Sequence, residues 1–470
     1  MKWKIFMPAQ FLTMLVLLLS LATGLLIQNV PLQYLVFGVA LLLCLHLTNY
    51  QLLYMSVVLV CVTGLLRRLL AGELGRVDGD PVILLPLVFT AIVVIRTLLE
   101  PRSTILRPKI ANLSYGMAGL SCVTFVLSPQ FTISAIYPSV LTATIWIYIG
   151  LQCSGRVPDL WPAIYKTFPF IGLVIGGYGV YQFFALPSWD RAWMVASKLS
   201  SIGAPVPEQV RVFGTAESPG PFAIILGLCL IVSLERSISQ KGLQRIAMAA
   251  IACLLLLPLS LTAVRTGLLG LVLAGAFMSF WCLRGARRLI PLAATVLCYV
   301  VLTLIIERFG NNSSVLSSDR LSEFDAGNDN SLQRRLLLFG DIARYVVNPF
   351  GRGIDVNSAT GQPSSADNAF IDILARNGPI VAILLVILVL AVLKACFRID
   401  RASGYAVGAA ACGIYLVFFM IASNIFASGT GLLCAVVFGS LLRYECDRIK
   451  SDSAVDNGGK VMTSTRLAQS

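Results

Sequence analysis

The chain has 470 residues, of which 57% are hydrophobic and 13% are charged, and its mean hydropathy is +0.83. Soluble domains average about 45–50% apolar and about 25% charged residues, so the composition excludes a soluble enzyme with one apolar core. The apolar residues come in blocks of about 17–25, the length at which a helix spans the hydrocarbon of a bilayer. A membrane β-barrel would instead alternate apolar and polar residues in segments of about 10. The sequence therefore predicts an all-α, polytopic membrane protein.

The predicted topology explains the formal net charge of +13, since most of the basic residues fall in cytoplasmic loops. A polyanionic partner is not needed to explain the charge, and no nucleic acid is expected. With the N-terminus in the cytoplasm, every inner loop of appreciable polar length is basic, as the positive-inside rule requires. Arg67 and Arg68 are the exception, because they fall in an outer loop beside Glu73, Asp78 and Asp80. That loop is the weakest point of the predicted topology.

The predicted membrane spans follow directly from the apolar blocks. They fall at about 5–26, 31–48, 51–66, 82–99, 110–128, 131–151, 162–185, 219–234, 246–262, 265–283, 289–306, 369–393, 403–422 and 424–442. The sequence therefore predicts about 14 spans, or 12 if the weak third and fifth blocks are left out, with both termini in the cytoplasm. The first block begins like a signal peptide but has no clean cleavage site, so we expect a retained signal anchor.

The predicted organisation has five parts along the chain. They are an N-terminal transmembrane bundle (1–185), a first long outer loop with the central spans (186–306), a large outer loop (307–368), C-terminal spans (369–443) and a disordered cytoplasmic tail (444–470). No internal repeat is visible, whereas many transporters are built from two related halves.

The large outer loop contains helix signals of its own. Residues 331–347 carry apolar side chains at helical spacing, and Asn348-Pro349 ends the pattern. This helix is expected on the outer membrane surface; a packed lid helix with solvated charges fits the pattern equally well. Asp367 or Asn368 is the expected N-cap of the helix that begins at Ala369.

Several arginines fall at the predicted outer membrane face. Arg211 ends the first long loop, and Arg265 lies between two apolar blocks with almost no loop around it. Arg334, Arg335 and Arg352 come from the large loop. Arginine binds phosphate oxygens in a two-pronged fashion and stays charged, so a converging set would suit a pyrophosphate. For any one of them alone, anchoring a helix end to lipid phosphates is the better explanation.

The order of these features resembles the O-antigen ligase and polysaccharide polymerase superfamily of bacterial inner membranes. The resemblance rests on Arg-x-x-Gly (211–214), Thr-Ala-Val-Arg-Thr-Gly (262–267), the Arg-x-x-Leu-x-x-x-Gly-Asp-Ile-Ala segment from Arg334, Asn-Pro-Phe-Gly-Arg-Gly (348–353) and the helix opening at 367–378. It covers about residues 205–395, while the first 200 residues match only as generic spans.

The resemblance implies a C-type glycosyltransferase architecture that works on the periplasmic side. Such an enzyme transfers a sugar chain from undecaprenyl pyrophosphate to an acceptor hydroxyl and needs no cofactor, metal or nucleotide sugar. It implies that Arg211 and Arg265 bind the pyrophosphate and take part in catalysis, supported by Arg334, Arg335 and Arg352. The implied partners are the lipid-linked oligosaccharide, membrane lipids and other polysaccharide assembly and export proteins.

This sequence departs from the family pattern at one position. Ligases of the family carry a His-Asn pair where this chain has Asp367-Asn368, and the only histidine, His46, lies in a predicted span. Asp367 is therefore the candidate base, and capping of the following helix is its alternative role.

Three functions remain open on the sequence alone. The first is a polymerase of lipid-linked repeat units for an exopolysaccharide or O-antigen. The second is a ligase that transfers the finished chain to a lipid A core or another acceptor. The third is a non-enzymatic flippase for lipid-linked oligosaccharide, which would line a central cavity with charges from both halves.

Overall fold

The computed structural model describes residues 38–39, 42, 44–71, 81–100, 108–127, 133–197, 202–309, 342–351, 368–401 and 403–456. Within these ranges the regular structure is helical, and the only β-type pairing is an isolated bridge between Gly203 and Val210. The prediction of an all-α protein is confirmed for this part of the chain.

Fourteen α-helices follow one another in the described ranges. They are α1 (Asn49–Ala71), α2 (Leu85–Leu99), α3 (Lys109–Val126), α4 (Ile133–Cys153), α5 (Trp161–Ala185), α6 (Ser188–Ser197), α7 (Pro219–Ser239), α8 (Gly242–Leu261), α9 (Arg265–Phe277), α10 (Leu289–Phe309), α11 (Ile342–Val346), α12 (Ala369–Phe397), α13 (Gly404–Ala422) and α14 (Thr430–Asp456). A 3-10 turn at Pro81–Leu84 leads into α2, and α9 continues as a π-helical turn at Met278–Cys282.

Nine helices of the described ranges are long and apolar enough to cross a membrane. They are Asn49–Ala71, Val82–Leu99, Ile136–Cys153, Trp161–Ala185, Pro219–Ser239, Gly242–Leu261, Arg265–Cys282, Ala369–Phe397 and Gly404–Ala422. Each coincides with a predicted span. The predicted span at 5–26 lies outside the described residues, as does most of the one at 31–48. The helices α3, α10 and α14 coincide with three further predicted spans and are not among the nine.

Contacts between helix ends show that the chain passes back and forth through the bundle. At one end, the Asn368 side-chain amide donates to the carbonyl of Ile421 at 2.7 Å, and the Asn377 amide donates to the Thr124 hydroxyl at 2.8 Å. We call this the loop end, because it also holds the described part of 186–218.

The opposite end is tied together by a separate set of contacts. The indole of Trp161 donates to the carbonyl of Tyr405 at 3.0 Å, and Arg443 donates to the carbonyl of Val157 at 3.1 Å. Trp161 and Tyr405 lie in the first turns of α5 and α13, and Val157 lies in the connection between α4 and α5. The long helices from α1 onward therefore alternate in direction, in the order expected from the apolar blocks.

The helix α7 lies at the centre of the bundle, where it packs against α5, α8, α9 and α13. Small residues allow this close packing: a Cβ on Gly172 of α5 would lie 2.6 Å from the Cβ of Cys229. The Tyr415 hydroxyl donates to the carbonyl of Ala223 at 2.8 Å, which joins α13 to α7. Small residues and interhelical hydrogen bonds are the usual means of helix association in lipid.

The helix α12 begins with a side-chain cap and contains a sharp kink. The carboxamide oxygen of Asn368 accepts from the amides of Phe370 at 2.9 Å and Ile371 at 3.2 Å, so Asn368 is the N-cap. The kink lies at Gly378, which has φ of +82° and precedes Pro379. The cap was predicted, with Asp367 as the alternative capping residue.

The kink of α12 is in direct contact with the turn that follows α11. A Cβ on Gly351 would lie 2.7 Å from the amide nitrogen of Gly378, so the two backbones touch where both residues have positive φ. The turn at 348–351 and the helix opening at 368–378 were separate motifs in the sequence. The fold brings them together at the loop end.

The predictions for the tail and for the helix in the large loop had different outcomes. The helix α14 continues to Asp456, so residues 444–456 of the segment predicted as a disordered tail are helical. Ion pairs one turn apart on α14, such as Arg448 with Glu445 at 3.1 Å, stabilise this extension. Of the helix predicted at 331–347, only Ile342–Val346 is described, and it is helical.

Substitution of Gly351 by alanine is expected to destabilise the protein. The new Cβ would overlap the backbone of α12 and force a side chain into the left-handed region. Gly177→Ala is the matched control, because a Cβ there meets no atom within 4 Å. Thermal unfolding in detergent should give a lower melting temperature for Gly351→Ala than for the control. Equal melting temperatures would contradict the close contact.

Candidate functional site

The segment 210–217 is non-helical backbone that crosses the loop end inside the helical bundle, with a turn at 214–215. The Thr215 carbonyl accepts from the Leu65 amide at 2.8 Å, and the Thr215 hydroxyl donates to the Cys61 carbonyl at 2.5 Å. Cys61 and Leu65 are one helical turn apart on α1, so Thr215 is bonded directly to the helix backbone. Gly64 permits this approach, because a Cβ there would lie 2.8 Å from the Glu217 amide nitrogen.

A buried ion pair holds this segment from the side of α1. The Nε atom of Arg68 lies 2.6 Å from a carboxylate oxygen of Asp190 in α6, and neither side chain is exposed to solvent. The same guanidinium donates to the carbonyls of Gly214 and, at 2.5 Å, Ala216. It also lies 4.7 Å from the centre of the Phe213 ring. One arginine thus neutralises an acid and satisfies two carbonyls of the segment.

The acid of this pair is held by a second layer of hydrogen bonds. The other oxygen of Asp190 accepts from the Gln182 amide at 2.6 Å and from the Tyr178 hydroxyl at 2.8 Å. The carboxamide oxygen of Gln182 in turn accepts from the amides of Phe213 at 3.0 Å and Gly214 at 2.8 Å. The segment is therefore held through both its carbonyls and its amides.

Arg67 forms a second ion pair with the same segment. Its guanidinium lies 2.5 Å from a carboxylate oxygen of Glu217 and 5.3 Å from the centre of the Trp193 ring. Arg67 and Arg68 were predicted in an outer loop, against the positive-inside trend. In the structure they belong to the last turns of α1 and are buried against acids of the first long loop. Internal pairing, rather than a solvated loop, accounts for their position.

The predicted arginines Arg211 and Arg265 lie at one short turn of the loop end. The Arg211 side chain donates to the carbonyls of Thr262 at 3.0 Å and Ala263 at 3.2 Å. Ala263 has φ of +51°, and Arg265 is the first residue of α9. Both arginines are partly buried. The fold thus joins Arg211 to the turn that carries Arg265.

The remaining predicted site residues fall outside the described residues. They are Arg334, Arg335, Arg352 and Asp367. His46 was predicted inside a span, but the structure places it, exposed, in the turn before α1. That turn lies at the opposite end, where Arg96 donates to the Leu47 carbonyl at 2.7 Å. His46 is therefore separated from Arg211 and Arg265 by the length of the bundle.

A further buried pair lies beside the kink of α12. Arg376 Nε lies 2.8 Å from a carboxylate oxygen of Asp372, one turn earlier in the same helix, and both side chains are almost completely buried. The Arg376 carbonyl is also part of the backbone that Gly351 touches. In the sequence, Arg376 was noted only as part of the motif at 367–378. Its i,i+4 spacing from Asp372 could have identified the pair.

Arg68, Asp190 and Gln182 shape the site but were not predicted from the sequence. None of them belongs to a recognised motif. The sequence held an indirect signal for them. Arg67 and Arg68 fall on the outer side of the predicted topology, and the first long loop contains acids, Asp190 and Glu217, that can neutralise them.

Comparisons with known proteins add no family assignment. No protein-family model matches the chain, and no curated protein matches it at a significant level. The chemistry of the loop end is therefore the basis on which a function is argued.

Removal of the charge on Asp190 is expected to be severely destabilising. Asp190→Asn leaves the Arg68 guanidinium buried without its counter-ion, and breaking a buried pair in this way costs about 3–5 kcal/mol. Thermal unfolding in detergent should show a large loss of stability. Asp447→Asn is the control, since Asp447 pairs with Arg443 at an exposed position and 3.9 Å separation.

A double variant separates the loss of the pair from the loss of shape. Arg68→Met combined with Asp190→Asn removes the unpaired charge and should be more stable than Asp190→Asn alone. If the single variant unfolds like the wild type, the pair does not hold the segment.

Proposed function

We propose that the protein polymerises undecaprenyl-pyrophosphate-linked oligosaccharide repeat units at the periplasmic face of a bacterial inner membrane, for an exopolysaccharide or O-antigen. The proposal includes a C-type glycosyltransferase architecture and cytoplasmic termini. One observation supports this proposal above the others. Arg211 and Arg265 were predicted as site residues from separate sequence motifs, and they lie at the same turn of the loop end.

Two arginines at one turn suit the leaving group of this reaction. Negative charge develops on the pyrophosphate oxygens as the glycosidic bond breaks, and donors fixed in advance near that charge lower the barrier most. Guanidinium groups stay charged at any relevant pH and match phosphate oxygens geometrically. Arg265 also begins α9, where the positive end of the helix dipole adds to the attraction for an anion.

The surrounding contacts supply the rigidity that such a site requires. Arg211 is fixed through the carbonyls of Thr262 and Ala263, and its own amide donates to the Ile202 carbonyl at 2.7 Å. The segment that follows Arg211 is held by the Arg68–Asp190 pair. A turn fixed in this way binds pyrophosphate without having to reorganise first.

The proposed reaction is a single displacement at a sugar carbon. The oxygen of the acceptor hydroxyl bonds to the anomeric carbon of the donor sugar, and the bond from that carbon to the pyrophosphate oxygen breaks. Undecaprenyl pyrophosphate leaves with the electron pair, held by Arg211 and Arg265, with Arg334, Arg335 and Arg352 as further binding residues. The hydroxyl proton passes to a base, for which Asp367 is the candidate. No metal or cofactor takes part in the proposal.

The placement of histidine and of buried charge favours a polymerase over the two alternatives. A ligase of the superfamily that the sequence resembles would use a histidine at the site, whereas His46 lies at the opposite end of the bundle. A flippase would line its central cavity with charge. In the described ranges the buried charged residues lie toward the two ends of the bundle instead: Arg67, Arg68, Asp190, Asp372 and Arg376 at the loop end, and Glu235 and Glu445 toward the opposite end.

Replacement of either arginine by alanine is expected to stop polymer synthesis. Cells that lack their own copy would be complemented with wild type, Arg211→Ala or Arg265→Ala, and then analysed for polymer and lipid-linked single units. Loss of one transition-state donor lowers such rates by about 10²–10³. Lipid-linked units should accumulate on the periplasmic leaflet while polymer disappears.

Arg245→Ala is the matched control for this experiment, because Arg245 is exposed at the opposite end. Membrane levels and melting temperatures of each variant would be measured alongside. Lipid-linked units retained on the cytoplasmic leaflet would refute the polymerase and support a flippase.

Asp367 is tested by comparing two substitutions in the same cells. Asparagine keeps the size and capping ability of the residue but accepts no proton, whereas alanine removes both properties. A base contributes about 10²–10⁴ to such rates, so both variants should lose most of the polymer. If Asp367→Asn and Asp367→Ala both keep full synthesis, Asp367 is not the base.

A further inference from the structure

A cavity lies at the loop end, and neither Arg211 nor Arg265 is among the residues that line it. It is partly open and lies between α1, the start of α2, the start of α4, the start of α7 and the start of α14. Glu217 and Tyr137 line it together with the hydroxyl groups of Thr63, Ser428 and Thr430.

The charge of the cavity is balanced by the ion pair at its wall. Among the described residues of the lining, Glu217 is the charged one, and the Arg67 guanidinium lies 2.5 Å from its Oε1 oxygen. Within the described part of the cavity wall these two charges balance, which favours an uncharged ligand over a free cation or an anion.

The hydroxyl groups of Thr63, Ser428 and Thr430 face the cavity as acceptors. The Thr63 hydroxyl already donates to the Leu59 carbonyl at 2.5 Å, and the Thr430 hydroxyl donates to the Ile425 carbonyl at 3.1 Å. Since the Thr430 proton is engaged, Ser428 is the donor in its 2.7 Å contact with Thr430. The oxygens keep lone pairs for a ligand, but their protons are occupied.

Glu217 adds the strongest acceptor to this set. Its Oε1 oxygen pairs with Arg67, while Oε2 makes no hydrogen bond to any residue that the structure describes. The side chain is 36% exposed, so Oε2 is accessible to a ligand. An ionised carboxylate forms short, strong bonds with hydroxyl donors. The ligand that fits is neutral and rich in O–H groups.

The rest of the lining is apolar, including Val60, Ile83, Pro221 and Ile225, with the ring of Tyr137 beside them. A sugar ring has this combination of surfaces, since its C–H face is apolar and its edge carries hydroxyl donors. We infer that the cavity is a binding site for a neutral sugar residue, with Glu217 accepting a hydroxyl proton in a hydrogen bond.

The assignment of the cavity to a sugar stands on its lining alone. Its place in the reaction rests on the proposed function: with the pyrophosphate of the donor at Arg211 and Arg265, the sugar of the acceptor is what this cavity would hold.

Direct binding tests the inference. The full-length protein in nanodiscs free of glycolipid and sugar detergent would be titrated with glucose, galactose and N-acetylglucosamine, with saturation-transfer difference NMR as the readout. At least one sugar should bind saturably. Glu217→Gln still accepts a bond from Arg67 but removes the charged acceptor, so the Kd should rise on the order of tenfold.

Two further variants guard the interpretation. Glu208→Gln changes a carboxylate of the same loop that is not in the lining, and it should leave the Kd unchanged. Ile83→Trp enlarges a lining side chain and leaves Glu217 and Arg67 unchanged, and it should abolish binding. The inference is overturned if none of the three sugars binds, or if Glu217→Gln and Ile83→Trp bind as tightly as the wild type.

A lipid glycerol headgroup carries the same O–H chemistry, so it is tested as a separate arm. Glycerol, and nanodiscs enriched in phosphatidylglycerol, would be added as competitors. Displacement of the sugar by glycerol at equal concentration would overturn the sugar assignment in favour of a lipid headgroup.

The outcomes distinguish this inference from the proposed function. Sugar binding that depends on Glu217, together with normal polymer in Arg211→Ala, would leave the site standing and refute the polymerase. Loss of polymer in Arg211→Ala without any sugar binding would do the reverse.

Discussion

The loop end is organised around the ion pair between Arg68 and Asp190. Both side chains are fully buried, and a charge left unpaired there would cost several kcal/mol. The pair therefore requires α1, α6 and the segment 210–217 to be in place together. Arg211 lies at the start of this segment and Glu217 ends it, so the turn that carries Arg265 and the cavity lined by Glu217 are positioned by one support. Both are in this way fixed relative to each other by a single buried charge pair.

Much of the helical frame followed from the sequence, because the hydrocarbon thickness dictates it locally. The predicted span at 265–283 corresponds to Arg265–Cys282, and the one at 162–185 corresponds to Trp161–Ala185. Each required only the length and apolarity of one stretch of chain. Arg211 and Arg265 were identified for a similar reason, because an arginine at the boundary of a predicted span can be recognised from the sequence alone. Their convergence on one turn was expected but needed the fold to be seen.

The pairs that shape the site were not predicted, because each depends on which helices are neighbours. Arg68 and Asp190 are about 120 residues apart in the chain, and nothing in either local sequence names the other. The same holds for Thr215 and its contact with α1. The prediction of a disordered tail was wrong at 444–456 for a different reason. The polar composition of this segment suggested disorder, yet α14 continues through it, and charged residues pair along the surface of the helix. Composition distinguishes polar from apolar segments but not a solvated helix from a coil.

The position of Arg67 and Arg68 in α1 also sets an order for membrane insertion. Synthesis runs from the N-terminus, so α1 leaves the ribosome about 120 residues before Asp190 and still longer before Glu217. Until Asp190 is made, Arg68 lacks the counter-ion that it has in the finished fold, and a buried arginine without its counter-ion is costly. The C-terminal end of α1 must then wait near the lipid headgroups, where arginine is well solvated, and settle only when α6 and the 210–217 segment have been made. Residues that stabilise the finished protein thus make its first half dependent on its second during biogenesis.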